Sequence, residues 1–257
     1  MRLLVCAATG KELAALAPHS LASLAATLEE AGLNVTSPVV PAPAGLFLPH
    51  VEAWLCLTGI GPINAALGMG LTLTAMRAAG ALPQVVLNSG VAGAFDLSAV
   101  PLRTLCLVRE EIWPEYGLHD GKSVTAQAFS WPLWQREEAA GGPVYDRLPL
   151  ADVDCLETGK GSKGMPALQS CRSLTVAGVS ASFDRARDIH TRYRAELENM
   201  EGFAVAYACA RCGIPCLEVR TVSNKVGPRA KHEKDFPGAL AALAEVLPAL
   251  KLAKRER

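Results

Sequence analysis

Apolar and polar positions follow one another in blocks that predict strands alternating with helices. Residues 3–8 are continuously apolar and predict a buried strand. Residues 11–31 carry leucines at helical spacing and predict an amphipathic helix. The same order recurs in residues 53–58 and 64–79. This alternation is typical of an α/β chain with a mostly parallel sheet covered by helices on both faces.

The second half of the chain continues the pattern after an irregular stretch. Residues 84–87 predict a strand that ends at the polar, glycine-containing segment 88–93. Residues 200–212 predict an apolar helix, and residues 214–222 predict the strand that follows it. No linker or repeat interrupts these elements, so we expect one domain spanning residues 1–257.

Charge and cysteine usage narrow the class of protein. The formal net charge is zero, with 25 basic and 25 acidic residues, whereas proteins that bind nucleic acid usually carry a basic excess. No signal peptide or membrane span is predicted, because the opening apolar run is short. The eight cysteines are scattered through apolar segments, which is typical of free thiols in a reducing compartment. We therefore expect a cytoplasmic protein that binds neither nucleic acid nor membrane.

Candidate chemistry lies where the predicted strands end. Glu12 follows the first strand, the segment 88–93 follows another, and Ser223 and Asn224 follow the last, with Arg220 just inside it. Ligands of such sheets gather at the carboxyl ends of the strands. We therefore expect these residues to lie close together around a ligand.

Two acids allow both a structural and a functional interpretation. Glu12 and Glu201 each open a predicted helix, where an acid stabilises the helix dipole by ~0.3–1 kcal/mol. Glu12 at the mouth of a site could instead take a proton from water. Gly202 beside Glu201 would allow a close approach of the backbone. The residues alone leave both interpretations open.

Two shorter motifs are only weak evidence for a dinucleotide cofactor or a metal site. Gly59 and Gly61 resemble part of a dinucleotide fingerprint, but the third glycine and the later acid are missing. Cys209 and Cys212 form a C-x-x-C pair without a second pair of metal ligands. We therefore expect no cofactor and no metal.

Taken together, four segments resemble the nucleoside phosphorylase and nucleosidase superfamily, and within it the futalosine hydrolases. The segments are residues 58–66, 88–93, 198–206 and 220–229. The resemblance implies a single-domain, three-layer fold with a central mixed β-sheet flanked by helices. It also implies a homodimer or larger oligomer that acts on a small purine nucleoside.

The resemblance assigns roles to individual positions. It implies that Glu12 activates water, that Glu201 binds the ribose hydroxyls, and that Asn224 addresses the N7 edge of the purine. The remaining positions implied to contact substrate are Gly90, Val91, Ala92, Phe183, Met200, Arg220 and Ser223. Phe183 is expected against the base and Met200 against the sugar, while Ser223 and Arg220 support Asn224.

Two departures from the superfamily pattern bear on the reaction. Phosphorylases hold phosphate with arginines at the first turn and after the third strand, where this chain offers only Lys11 and an acid, Glu12. Water is therefore the expected nucleophile. Asn224 stands where adenine-releasing nucleosidases have aspartate. An amide can donate to a 6-oxo group and accept from a protonated N7, so we expect hypoxanthine to be released from futalosine, a step of menaquinone biosynthesis.

Alternatives remain. An adenine-releasing methylthioadenosine/S-adenosylhomocysteine nucleosidase, or a non-catalytic nucleoside-binding protein, would share this fold. The aromatic segment 113–134, with Trp113, Tyr116, Trp131 and Trp134, could contact the 5′ substituent of futalosine or simply pack a loop or an interface. Lys225 and Arg229 are candidate cations for that substituent's carboxylate.

Overall fold

The strands and helices of the chain alternate much as the apolar blocks predict. A computed structural model describes residues 1–31, 39–128, 130–137, 141–156, 168–254 and 256. The strands are β1 (Arg2–Ala7), β2 (Val40–Pro41), β3 (Glu52–Leu57), β4 (Val85–Ala94), β5 (Leu105–Ile112), β6 (Leu118–His119), β7 (Val124–Thr125), β8 (Arg147–Pro149), β9 (Gln169–Thr175), β10 (Leu197–Asn199) and β11 (Cys216–Lys225). The helices are α1 (Gly10–Leu16), α2 (Pro18–Ala31), α3 (Pro62–Ala78), α4 (Phe183–Tyr193), α5 (Gly202–Cys212), α6 (Phe236–Leu243) and α7 (Val246–Ala249).

The sheet is mixed and has nine strands, in the order β10-β9-β5-β11-β4-β1-β3-β2 with β8 beside β5. β4 lies parallel to both β1 and β11, whereas β5 runs antiparallel to β11. β10 pairs with β4 as well as with β9, so β4, β11, β5, β9 and β10 form a closed circuit. This confirms the predicted α/β fold with a central mixed sheet flanked by helices.

Helices cover the sheet on two faces. Leucines of α1 and α2 pack with α6 and α7 against one face, in a core that includes Leu3, Leu13 and Leu247. The other face carries α3 and α5, in a core that includes Met69 and Val205. Burial of these apolar side chains is the main favourable contribution to folding, at ~25 cal/mol per Å².

The predicted single helix over residues 11–31 is wrong in one respect. Two helices, α1 and α2, occupy this stretch, and the second begins at Pro18. Proline has no backbone N–H and fits the first position of a helix better than its interior, so the leucine pattern continues across a break.

A second correction concerns β4. Residues 88–93 were expected to follow the strand, but β4 continues through them to Ala94. They pair with β11, in a parallel register that places Arg220 opposite Gly90 and Asn224 opposite Gly93. The glycines therefore lie within a strand, where a missing side chain leaves room for neighbouring groups to approach the backbone.

Among the described residues, no helix is both long enough and apolar enough to cross a membrane.

Candidate active site

The candidate residues gather along the paired ends of β4 and β11. Arg220 pairs with Gly90 at one end of this stretch, and Asn224 pairs with Gly93 at the other. Residues in strands advance by ~3.3 Å each, so the two ends lie on the order of 10 Å apart. That span keeps the groups at the two ends out of direct contact with each other.

Glu12 has a structural and a site-facing contact at once. Its Oε2 accepts hydrogen bonds from the backbone N–H of Thr9 at 3.2 Å and from the Thr9 hydroxyl at 2.9 Å, which caps α1. Its Oε1 accepts from the N–H of Val91 in β4 at 3.0 Å. A Cβ on Gly90 would lie 2.6 Å from this oxygen, so glycine is required for Glu12 to approach the strand. The cap fixes the carboxylate where it faces β4.

Glu201 does not act as a helix cap. It occupies the residue before α5, but its side chain makes no capping hydrogen bond. Its Oε1 instead accepts from the N–H of Gly61, at the start of α3, at 2.9 Å. Burial raises the pKa of the Glu201 carboxyl, the nearby Arg220 opposes that shift, and the charge of Glu12 adds to it. Glu201 is thus a buried acid held beside Glu12 and Arg220.

Arg220 is the cation of this group. Sequence analysis expects it to support Asn224, whereas it lies opposite Gly90 and interacts with the acids. The side chain is fully buried, and its Nε donates to Glu218 Oε1 at 2.8 Å. Burial alone lowers the pKa of Arg220, but the charges of Glu218, Glu201 and Glu12 outweigh this effect, so the pKa is raised. Its Nη2 has no hydrogen-bond partner among the described residues. A buried donor without a partner is free to bind a ligand or water.

Asn224 occupies the other end, where the contacts are neutral. Its Oδ1 accepts from the hydroxyl of Ser223 at 2.9 Å, and its Nδ2 donates to the carbonyl of Lys225 at 2.8 Å. A Cβ on Gly93 would lie 2.9 Å from Nδ2, so glycine is needed here as well. The Ser223 hydroxyl also contacts the carbonyl of Ala92 at 3.2 Å. Both functional atoms of the amide are therefore oriented by this strand pair.

Phe183 and Met200 lie to the side of the paired stretch of β4 and β11. Phe183 begins α4, and 67% of its surface is exposed. The helix start lies beside the end of β11, because Gly227 donates to the carbonyl of Ser180 at 3.1 Å. Met200 is partly buried and immediately precedes Glu201. The structure therefore brings Glu12, Glu201 and Arg220 close enough to interact electrostatically and leaves Phe183 at the margin.

Sequence analysis missed two buried acids next to this group. Glu218 lies in β11 two residues before Arg220, and Glu111 lies in β5; both are fully buried. Sequence analysis assigns both only to predicted strands, without a functional role. An acid inside an otherwise apolar strand was the available signal, because buried carboxylates are rare without partners. Lys11, the cation considered for the first turn, is exposed.

The aromatic segment packs mostly against α5. Trp113 stacks on Tyr116 and lies 5.8 Å from the ring of Phe203, and Trp134 meets Tyr207 edge to face. Trp131 is 71% exposed. Trp113, Leu133, Phe203 and Tyr207 contribute to a hollow of about 320 Å³ beside the start of α3. The candidate cations lie elsewhere: Lys225 pairs with Glu233 at 2.8 Å, and Arg229 contacts the carbonyl of Gly227.

The described residues contain no candidate metal site and no disulfide. Within the described ranges, no group of three or more histidine, cysteine or acidic side chains could hold a metal ion. The cysteines of the described chain are free thiols, and Cys209 and Cys212 form no bridge.

Comparison with known proteins shows the family of the chain. Residues 2–253 match the phosphorylase superfamily. The chain belongs to that superfamily. The match covers both candidate acids and both paired strand ends, and it confirms the resemblance inferred from residues 58–66, 88–93, 198–206 and 220–229.

Curated members of the superfamily differ in their sequence identity to the chain and in the share of it that they cover. The futalosine hydrolase of Thermus thermophilus is 35% identical over 191 residues, which cover 74% of this chain and 77% of that protein. The futalosine hydrolase of Streptomyces coelicolor is 30% identical over 89% of this chain and 93% of that protein. A 5′-methylthioadenosine/S-adenosylhomocysteine nucleosidase of Geobacillus kaustophilus is 30% identical over 82% of this chain and 84% of its own length.

Solved structures show the same fold. The native futalosine hydrolase of Helicobacter pylori superimposes with a TM-score of 0.67 at 19% identity, covering 97% of both chains. At this identity the likeness concerns the fold alone. The superfamily member described here therefore has futalosine hydrolases and a 5′-methylthioadenosine/S-adenosylhomocysteine nucleosidase among its relatives.

Proposed function

We propose that this protein is an enzyme that hydrolyses the N-glycosidic bond of futalosine and releases hypoxanthine, as a step of menaquinone biosynthesis. One observation carries the proposal. The buried acids Glu12 and Glu201 interact electrostatically with Arg220 at one end of the β4–β11 strand pair. An uncharged amide, Asn224, occupies the other end. The futalosine hydrolases among its relatives support the choice of substrate.

The sugar belongs at the end with the two acids. Breaking the C1′–N9 bond puts positive charge on the ribose, and carboxylates held in a buried site stabilise that charge. Glu201 accepts hydrogen bonds from the ribose hydroxyls, and these strengthen as the charge develops. Met200, next in the chain, packs against the sugar.

Water is the nucleophile. Glu12 removes a proton from it as its oxygen bonds to C1′, a general-base role typically worth ~10²–10⁴-fold. The unpartnered Nη2 of Arg220 holds the attacking water beside the carboxylate of Glu12, near Gly90. Phosphate is disfavoured at this position, because Glu12 and Glu201 both face it with negative charge.

The purine belongs at the neutral end. It leaves with the electron pair of the broken bond and takes a proton from solvent at N7. Asn224 accepts a hydrogen bond from that N7–H and donates to the 6-oxo group, exchanging its contact with the Lys225 carbonyl for the base. Ser223 holds the amide, Ala92 lies beside it, and Phe183 covers the base.

A homodimer or larger assembly is part of this proposal. Ile60, Ile63 and Leu67 are 58%, 82% and 61% exposed and lie at helical spacing on one side of the start of α3. Exposed apolar patches of this kind mark protein interfaces. A second copy of the chain covers this face. We also propose a single domain over residues 1–257 and a cytoplasmic location, because the described cysteines are free thiols.

One assay tests the function. The protein is incubated with futalosine, aminodeoxyfutalosine, methylthioadenosine and inosine, with and without phosphate, and the free base is identified by chromatography. We expect hypoxanthine from futalosine, at a rate that phosphate does not change. Preferred release of adenine would indicate a methylthioadenosine/S-adenosylhomocysteine nucleosidase, the activity named for the Geobacillus relative. Binding without release of any base would indicate a nucleoside-binding protein.

A further inference from the structure

A buried pair of carboxyl groups, Glu111 and Glu218, lies beside Gly202, the residue after Glu201, and takes no part in the mechanism above. The two groups approach each other at the first residue of α5. A Cβ on Gly202 would contact Glu111 Oε1 and would lie 2.7 Å from Glu218 Oε1. Both oxygens lie near the same point at Gly202, and the proximity of Glu218 raises the pKa of the Glu111 carboxyl. Glycine at this position therefore gives the pair its room.

Each member of the pair supports a different part of the site. Glu218 accepts from Arg220 Nε at 2.8 Å and from Asn88 Nδ2 at 3.1 Å. It thereby fixes the guanidinium that faces Glu12 and Glu201.

Glu111 acts on the other side, through Asn199. Asn199 Nδ2 donates to Glu111 Oε1 at 2.7 Å, while its Oδ1 accepts from the N–H groups of Glu201 and Gly202 at 2.8 and 2.7 Å. The second oxygen of Glu111 accepts from the hydroxyl of Thr175 at 2.7 Å. Glu111 thus orients the backbone that carries Glu201.

The charges around Arg220 do not balance if every acid is ionised. Glu12, Glu111, Glu201 and Glu218 surround one guanidinium, and the thiol of Cys6 also interacts with it. Burial raises the pKa of Glu111 well above its ordinary range, and the charge of Glu218 adds to this. A buried carboxyl pair holds one proton because two adjacent like charges cannot both ionise.

We infer that Glu111 and Glu218 hold one shared proton, resident on Glu111, and act as positioning residues for Arg220 and Glu201. The effect on catalysis rests on the proposed function, whereas the shared proton of Glu111 and Glu218 does not. The proton lets Glu111 donate to Glu218, which also accepts from Arg220 Nε. Misplacement of such groups by 1 Å can cost about 10²-fold in rate.

Infrared spectroscopy of the wild-type protein and Glu111→Gln tests the proton without any substrate. At neutral pH the wild type should show the carbonyl stretch of a buried neutral carboxyl group, and Glu111→Gln should lack that band. A difference spectrum without a lost band would overturn the inference. Glu110→Gln is the matched control, because Glu110 neighbours Glu111 in β5 but pairs with Arg147 at the surface; it should leave the band and the activity unchanged.

Kinetics test the positioning. Glu218→Gln should lower kcat by about 10²-fold with KM nearly unchanged, because Arg220 loses its fixed partner. The freed guanidinium should then interact more strongly with Glu201 and lower its pKa, so the acid limb of the pH–rate profile should move to lower pH. Wild-type kcat together with an unmoved limb would overturn the positioning role.

Two further measurements separate a folding defect from a loss of positioning, and the shared proton from the proposed function. If Glu218→Gln does not fold, Glu218→Asp retains the charge but shortens the reach, and it should still lower kcat more than KM. Wild-type kcat in Glu218→Asp would contradict the inference. If the wild type shows no futalosine hydrolysis while the infrared band is present, the proposed function fails and the shared proton stands.

Discussion

The two ends of the β4–β11 strand pair differ in burial and in charge. At the Gly90 end, Glu12, Glu201 and Arg220 are buried and interact strongly. At the Gly93 end, Asn224 is partly exposed and uncharged, and Phe183 is largely open to solvent. Charges act strongly when water is excluded, whereas a neutral amide recognises a pattern of donors and acceptors. Under the proposed function, this difference assigns bond cleavage to the Gly90 end and base selection to the Gly93 end.

Removal of the Glu201 charge should have the largest effect. Glu201→Gln should lower kcat for futalosine by about 10³-fold or more, because a buried electrostatic stabiliser of the sugar cation is lost. Hypoxanthine release measured by chromatography checks this. Glu196→Gln is the matched control, since Glu196 pairs with Arg172 in a partly exposed position and should leave turnover unchanged. Turnover of Glu201→Gln equal to that of wild type would remove Glu201 from the mechanism.

Loss of the base at Glu12 should come next. Glu12→Gln should lower kcat by about 10²–10³-fold, because an amide cannot take the proton of water. Part of the helix cap survives, since the glutamine carbonyl still accepts hydrogen bonds from Thr9 or Val91. Thermal unfolding should therefore change little, as should that of Glu30→Gln on the exposed side of α2. A large loss of stability with normal kcat in the folded fraction would assign Glu12 to the cap alone.

A substitution at the neutral end should change selectivity rather than the chemistry. Asn224→Asp should shift the ratio of kcat/KM from futalosine towards aminodeoxyfutalosine by at least about 10-fold, because a carboxylate accepts from the 6-amino group and repels the 6-oxo group. Asn224→Ala separates the lost amide from the added charge, and it should weaken both substrates without reversing the preference. An unchanged preference in Asn224→Asp would refute the assigned role.

The pH dependence should report the charged end alone. Burial raises the pKa of Glu201, and this group must be ionised to bind the ribose hydroxyls, so the rate should fall with decreasing pH at a value above the ordinary glutamate pKa of ~4.3. Removing the charge of Glu12 lowers the pKa of Glu201, so in Glu12→Gln the residual activity should show this limb at lower pH. Asn224→Ala should leave the limb in place. A limb that moves in Asn224→Ala, but not in Glu12→Gln, would contradict the division.

The smallest effect is expected from Phe183. It is 67% exposed without substrate, so Phe183→Ala should not affect folding. Loss of stacking on the base should raise KM several-fold, consistent with ~0.5–1.5 kcal/mol for an aromatic contact, while kcat stays near wild type. Steady-state kinetics with futalosine check this. A fall in kcat without a change in KM would place Phe183 in the chemical step.

Part of this site could be predicted from residues alone. The strands β1 and β3 and the helix α3 follow from apolar runs and from Pro62 after Gly61, because local pattern dictates local structure. The importance of Glu12, Glu201 and Asn224 came from motifs that resemble the superfamily. Their residue types carry the chemistry wherever they lie, so sequence sufficed to name them.

Only the tertiary structure decided how these groups interact. Sequence could not tell a helix-capping acid from a site acid. In the structure the Glu12 side chain caps α1 and also faces β4, whereas the Glu201 side chain caps no helix and accepts from Gly61. It also brought Glu111 and Glu218 together beneath Gly202, from strands more than a hundred positions apart in the chain. Burial and the proximity of distant charges set protonation, and neither is encoded in the spacing of residues along the chain.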